Sequence, residues 1–84
     1  MTTMTEVLAL VLARAETSSS IYIGLEDALK YGDISRVEHG CAERMIKDWF
    51  RKNETLALEN FAVKRQAFKQ FIKECKANES MRAR

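Results

Sequence analysis

The stretch VLALVLARA, residues 7–15, decides the fold, because its apolar side chains lie on nearly every side of the helix that it predicts. Just before it, Thr3 and Glu6 have the spacing of a capping box, in which each side chain bonds to the backbone of the other residue. We predict a first helix from about Met4 to Glu16. A helix that is apolar nearly all round is typical of the buried centre of a bundle or of an interface.

Three further helices follow from the apolar spacing in the rest of the chain. The second is predicted from about Ser20 to Tyr31, where Gly32 provides a C-terminal stop. The third is predicted from about Arg36 to Lys52, behind a second capping box formed by Ser35 and Glu38. The fourth is predicted from about Glu54 to Ala77.

The composition agrees with an all-α fold, because the 84 residues include three glycines and no proline, and a β-rich chain needs more turn residues. Hydrophobic residues make up 46% of the chain, which is enough for one core. We predict one domain over residues 1–84, a small four-helix bundle with the first helix at its centre. The tail, about residues 78–84, is expected to fray.

The length of the fourth helix raises the question of a partner. If it were unbroken over residues 54–77, it would be roughly 36 Å long, whereas a compact chain of this size is roughly 30 Å across. Either the helix breaks near Asn60, or it overhangs and its apolar side chains meet a partner. We favour a homodimer that forms through this C-terminal helix.

The third and fourth helices each carry more apolar residues than packing against one neighbouring helix requires. Trp49 lies near the middle of the apolar arc of the third helix and Phe50 lies at its edge, so the arc is wide enough to meet a second helix. That helix belongs either to the same chain, where Phe50 would pack on the first or fourth helix, or to another chain. Besides its core-facing stripe, the fourth helix carries a second, smaller apolar stripe, which consists of Leu56, Val63 and Ala67. The predicted partner-binding surface consists of Phe50, Leu56, Val63 and Ala67.

A basic stripe follows the fourth helix, where four side chains lie within about 80° of one another. These residues are Arg65, Lys69, Lys73 and Lys76. The second part of the chain, residues 51–84, holds 9 basic against 4 acidic side chains, whereas residues 1–50 hold 5 against 8. The stripe suits a phosphate backbone, an acidic protein partner or plain solvent. Base stacking is not indicated, because neither tyrosine lies near the stripe in sequence.

A helix-turn-helix motif would be a second way for this chain to bind nucleic acid. Ala28 and Gly32 resemble the packing alanine and turn glycine of that motif, which would make the third helix the reading helix. Polar residues stand where the motif has apolar ones, however, and the third helix carries Glu38, Glu43 and Asp48. These carboxylates would repel phosphates, so we do not favour this reading.

Catalytic and metal-binding patterns are not recognised. His39 and Cys41 point about 200° apart on a helix and cannot act as a pair. The spacings CxxC and HxxxH and any Gly-rich phosphate loop are missing. Cys41 and Cys75 lie on apolar faces and are predicted to be inert core thiols. Glu43 with Lys47, and Arg44 with Asp48, have the spacing of ordinary ion pairs.

The sequence therefore predicts a non-enzyme that uses neither a cofactor nor a metal. We expect a stoichiometric regulator, inhibitor or adaptor that binds another protein, and the alternative is a nucleic-acid-binding regulator that uses the basic stripe. The apolar run at residues 7–15 is too short to span a bilayer and lacks a basic residue before it. We expect a cytoplasmic protein that makes no contact with a membrane.

Overall fold

The computed structural model describes the backbone of residues 3–82, and within these residues the chain forms four α-helices, one short 3-10 helix and no strand. The predicted all-α, four-helix architecture is confirmed. The elements are α1 Met4–Ser18, α2 Ile21–Lys30, α3 Arg36–Lys52, the 3-10 helix η1 Glu54–Leu58, and α4 Phe61–Arg82.

Helix α1 is the centre of the bundle, since it packs against α2, α3 and α4. Val7, Leu8 and Val11 are completely buried, as the apolar run predicts. The burial does not extend all the way round, because Leu10 is 37% exposed. Three neighbouring helices leave one side of α1 open, and Leu10 lies on that side.

Short polar side chains define where the helices begin. At α1, the Thr3 side chain accepts a hydrogen bond from the Glu6 N–H. At α3, both halves of the predicted capping box are present, because the Ser35 N–H also donates to the Glu38 carboxylate at 2.7 Å. Each cap satisfies backbone N–H groups that have no partner inside the helix.

The predicted fourth helix is divided in two, as expected if the chain breaks near Asn60. Glu59 is extended, and the Asn60 Oδ1 accepts a hydrogen bond from the Val63 N–H at 3.1 Å, which caps the start of α4. The apolar stripe predicted along one continuous helix is therefore interrupted. Leu56 lies on η1, while the other members lie on α4.

Helix α4 runs antiparallel to α1 and continues past the predicted end at Ala77 to Arg82. A contact that the sequence does not reveal lies in this added part of the helix: the Thr5 N–H and hydroxyl both donate to the Glu79 carboxylate, at 3.1 and 2.7 Å. Near the other end of α4, Arg65 pairs with Glu16 at 3.0 Å. The last two residues of the predicted tail, 83–84, lie outside the described residues.

Helices α1 and α2 approach each other most closely at Gly24. A Cβ atom added there would lie 2.5 Å from the Ala15 backbone nitrogen and 2.7 Å from the Ala15 Cβ. Such distances are far shorter than normal van der Waals contacts, so only glycine fits at this position. Both residues are completely or almost completely buried.

An ion pair links α1 to the segment that follows α2. The Arg14 guanidinium donates to both carboxylate oxygens of Asp33, with its Nε at 2.6 Å from Oδ2. The guanidinium also lies over the ring of Tyr31, 4.5 Å from its centroid. Hydrogen bonding to Arg14 holds the pKa of Asp33 below its ordinary value of 3.8.

Replacing Gly24 by alanine should destabilise the protein. The substitution gains about 1 kcal/mol of helix propensity, but its methyl group meets backbone rather than a flexible side chain. Overpacking of this kind costs about 1–3 kcal/mol, and the severity of this clash places it at or above the upper end. We expect a net loss of about 2 kcal/mol in the free energy of unfolding, measured by urea denaturation.

The matched control is Gly40→Ala in α3, where an added Cβ meets nothing within 4 Å. This variant should gain about 0.5–1 kcal/mol from propensity alone. Equal effects of the two substitutions would contradict the close approach of α1 and α2.

The Arg14–Asp33 pair should make stability depend on pH. Since the pKa of Asp33 is lower in the folded than in the unfolded state, its contribution is present above the unfolded value of 3.8 and is lost as the pH falls through the folded pKa. Asp33→Asn should therefore lower the melting temperature at pH 7, and the difference from wild type should shrink in acid. Adding Arg14→Gln to Asp33→Asn should lower it little further; additive losses would show that the two side chains do not interact.

Candidate functional site

A groove runs between α3 and α4, with a volume of about 490 Å³. Its floor is formed by the rings of Trp49 and Phe71, which stack with centroids 5.3 Å apart and planes 17° apart. Phe68, which is completely buried, meets the Trp49 ring edge-on beneath them. Trp49 and Phe71 are only partly buried, so the groove offers aromatic surface to solvent.

The α3–α4 groove is lined by five apolar and five polar side chains, and the polar ones are Asp48, Lys52, Asn53, Gln70 and Glu74. Leu56 of η1 and Ala67 of α4 belong to the walls, together with Met45 of α3. The rim carries Asp48 and Lys52 on α3 and Glu74 on α4. An apolar floor with a polar rim is the usual arrangement of a protein-binding surface.

The rim carboxylate of Asp48 has different partners from the one predicted. Instead of Arg44, it accepts hydrogen bonds from Lys52 and Arg51, which lie on the following turn of α3. These two cations hold the pKa of Asp48 below its ordinary value. The Glu43–Lys47 pair forms as predicted, at 3.9 Å.

Phe50 packs within its own chain and does not line the α3–α4 groove. Its ring stacks on Tyr22 of α2 at 5.5 Å and touches Trp49 at 4.8 Å. The wide apolar arc thus reaches a second helix of the same chain, α2. Burial raises the pKa of Tyr22, and the Glu43 carboxylate adds to the shift. A smaller cleft of about 360 Å³ lies beside this stack, next to Phe61.

The structure brings together only part of the predicted partner-binding surface. Leu56 and Ala67 line the same groove although the helix is broken between them. Val63 is 42% exposed on α4 and lies outside the groove lining. Sequence analysis did not assign the other three apolar groove residues, Met45, Trp49 and Phe71, to a site, because their spacing marks them as core.

The basic stripe is reduced by one charge. Arg65 is only partly exposed, and its guanidinium pairs with Glu16 at 3.0 Å. Lys69 is partly buried, while Lys73 and Lys76 are exposed. Within residues 3–79, no carboxylate lies within 4.0 Å of these three lysine ammonium groups.

A second polar cluster joins α2 to α3. The His39 Nε2 lies 2.9 Å from the Glu26 Oε1, and one carboxylate oxygen of Glu43 completes a set whose ligand atoms all lie within 4.8 Å of one another. Sequence analysis paired Glu43 with Lys47 and missed this set. The available signal was the spacing of His39 and Glu43, one helical turn apart on the same face.

The two cysteines differ from each other. Cys41 is exposed, so its prediction as a core thiol is wrong. It lies about 100° around α3 from the completely buried Ala42. Cys75 is partly buried on α4, and burial raises the pKa of its thiol, with smaller contributions from Glu79 and Glu74.

Comparison with known proteins gives no significant match to a family model, to a curated protein or to a solved structure. Function must therefore be inferred from the geometry of this chain. Within the described residues, none of the helices is both long and apolar enough to cross a membrane.

The thiols should react at different rates with a disulfide reagent such as dithionitrobenzoate at pH 8. Cys41 should react first, because it is exposed, and Cys75 should react more slowly, because its raised pKa reduces the thiolate fraction. Cys41→Ser should remove the fast phase and leave the slow one. Loss of the slow phase instead would reverse the assignment.

Proposed function

We propose that this protein is a non-catalytic binding module whose α3–α4 groove accepts the apolar face of an amphipathic helix from another protein. In this role it would act as a stoichiometric regulator, inhibitor or adaptor. The observation that carries the proposal is the partly exposed Trp49–Phe71 stack on the groove floor. Trp is among the residues that contribute most often to binding energy at protein interfaces.

The polar groups around the groove favour a protein over a small molecule. Small-molecule pockets combine an apolar lining with a few polar groups that point inward and fix the ligand. Here Asp48 already bonds to two neighbouring cations. Among the described residues, no buried side-chain nitrogen or oxygen lacks a hydrogen-bond partner. The groove therefore offers apolar contact area rather than a fixed polar constellation.

The shape and charge of the groove favour a helix as the occupant. Two helices form its long sides, and a third helix placed between them would bury the exposed aromatic surface as helices do in a bundle. Lys52 on one side and Glu74 on the other give the rim both signs of charge. A matching helix would carry apolar residues at i, i+3, i+4 and i+7, with charged residues of both signs beside them.

The second candidate function is nucleic-acid binding through the basic stripe. The absence of carboxylates within 4.0 Å of Lys69, Lys73 and Lys76, among residues 3–79, supports it. The pairing of Arg65 with Glu16 weighs against it, and so does the distance in sequence between the stripe and both tyrosines. Protein binding is the better supported of the two.

The groove proposal predicts that Ala67→Glu abolishes partner binding, because it places a carboxylate over the apolar floor. The matched control is Ala62→Glu, the same exchange on the same helix but at an exposed position outside the groove. Each protein is used as bait for a lysate of the native host, with and without nuclease treatment, and is washed at two salt concentrations. We expect one stoichiometric protein with wild type and Ala62→Glu and none with Ala67→Glu, while circular dichroism stays unchanged.

Three results would contradict the groove. A protein retained by Ala67→Glu would bind elsewhere. Recovery of nucleic acid that is lost with Lys69→Glu and Lys73→Glu would favour the basic stripe. A dimer of wild type in light scattering that Ala67→Glu converts to monomer would make a second copy of this chain the occupant.

A further inference from the structure

We propose that Glu26, His39 and Glu43 bind one Zn²⁺ ion, which links α2 to α3. The three residues supply one imidazole nitrogen and two carboxylate oxygens from two adjacent helices. A site with three protein ligands leaves the fourth tetrahedral position to water. The proposal does not depend on the α3–α4 groove, which lies on the opposite flank of α3.

The positions of α2 and α3 already bring the three ligand side chains close to one another. His39 and Glu43 are one turn apart on α3, so their side chains project from the same face. The antiparallel α2 brings Glu26 to that face, with its carboxylate oxygen 2.9 Å from His39 Nε2. Since all ligand atoms lie within 4.8 Å of one another, no helix has to move for them to converge.

The remaining adjustment is small. Ligands at about 2.1 Å from a tetrahedral metal are about 3.4 Å from one another. The Glu26 side chain is 64% exposed and that of Glu43 is 38% exposed, so both carboxylates can turn towards a shared ion. The His39 side chain is only 15% exposed and forms the fixed member of the set.

The donor set suits a divalent transition metal. Imidazole and carboxylate ligands favour Zn²⁺, whereas Mg²⁺ and Ca²⁺ prefer oxygen ligands alone. Without an ion, the two carboxylates lie close together, and Glu43 pairs with Lys47 at 3.9 Å. An exposed ion pair at this distance contributes little to stability, so a doubly charged metal ion can displace Lys47 from Glu43.

The test is calorimetric titration of ZnCl₂ into the full-length protein without an affinity tag, since histidine tags bind zinc. Wild type should bind one equivalent. His39→Gln and Glu43→Gln should each weaken binding at least about 100-fold, because loss of an outer-shell partner alone costs up to that factor. Zn²⁺ should also raise the melting temperature, since the site joins two helices only in the folded state.

Two controls separate this site from other sources of zinc affinity. Glu59→Gln changes an exposed glutamate outside the cluster and should bind like wild type. Cys41→Ser should also bind like wild type, and Co²⁺ should give no thiolate charge-transfer band. The proposal fails if wild type does not bind one equivalent, if His39→Gln binds unchanged, or if Cys41→Ser abolishes binding.

Discussion

The close approach of α1 and α2 is the constraint on which the other contacts depend. At Ala15 and Gly24 the two backbones are so near that a single methyl group has no room. Contact at this distance fixes how α2 lies on α1, and the Arg14–Asp33 pair holds the chain where it leaves α2. The start of α3 and the course of the chain towards α4 follow from that position.

The groove is a consequence of how the remaining helices cover α1. Helices α3 and α4 both pack on α1, but large rings fill the space between them. Phe68 is buried against α1, while Trp49 and Phe71 stack above it and keep the two helices apart. Among the described residues, 3–82, no further helix covers these rings, and they are partly exposed.

What the sequence predicts well is local. Ser35 and Glu38 mark the start of α3 because a capping box needs only neighbouring residues, and Asn60 marks the break before α4 in the same way. Sequence analysis misses contacts between residues that are distant in the chain, such as the stacking of Phe50 on Tyr22 and the hydrogen bond from Thr5 to Glu79. Cys41 fits the apolar periodicity, but its thiol is exposed. Periodicity shows which residues share a face, and only the packed neighbours show whether that face is covered.

Helix α3 has different neighbours on its two flanks, and this separates the two proposed sites. Ala42 and Ile46 face α1 and are completely buried. On one flank, His39 and Glu43 face α2; on the other, Asp48 and Lys52 border the groove with α4. An ion bound between α2 and α3 would restrict the relative motion of these two helices without occupying the α3–α4 groove. Because the two sites use different side chains of the same helix, substitutions at one can be made without removing any contact at the other.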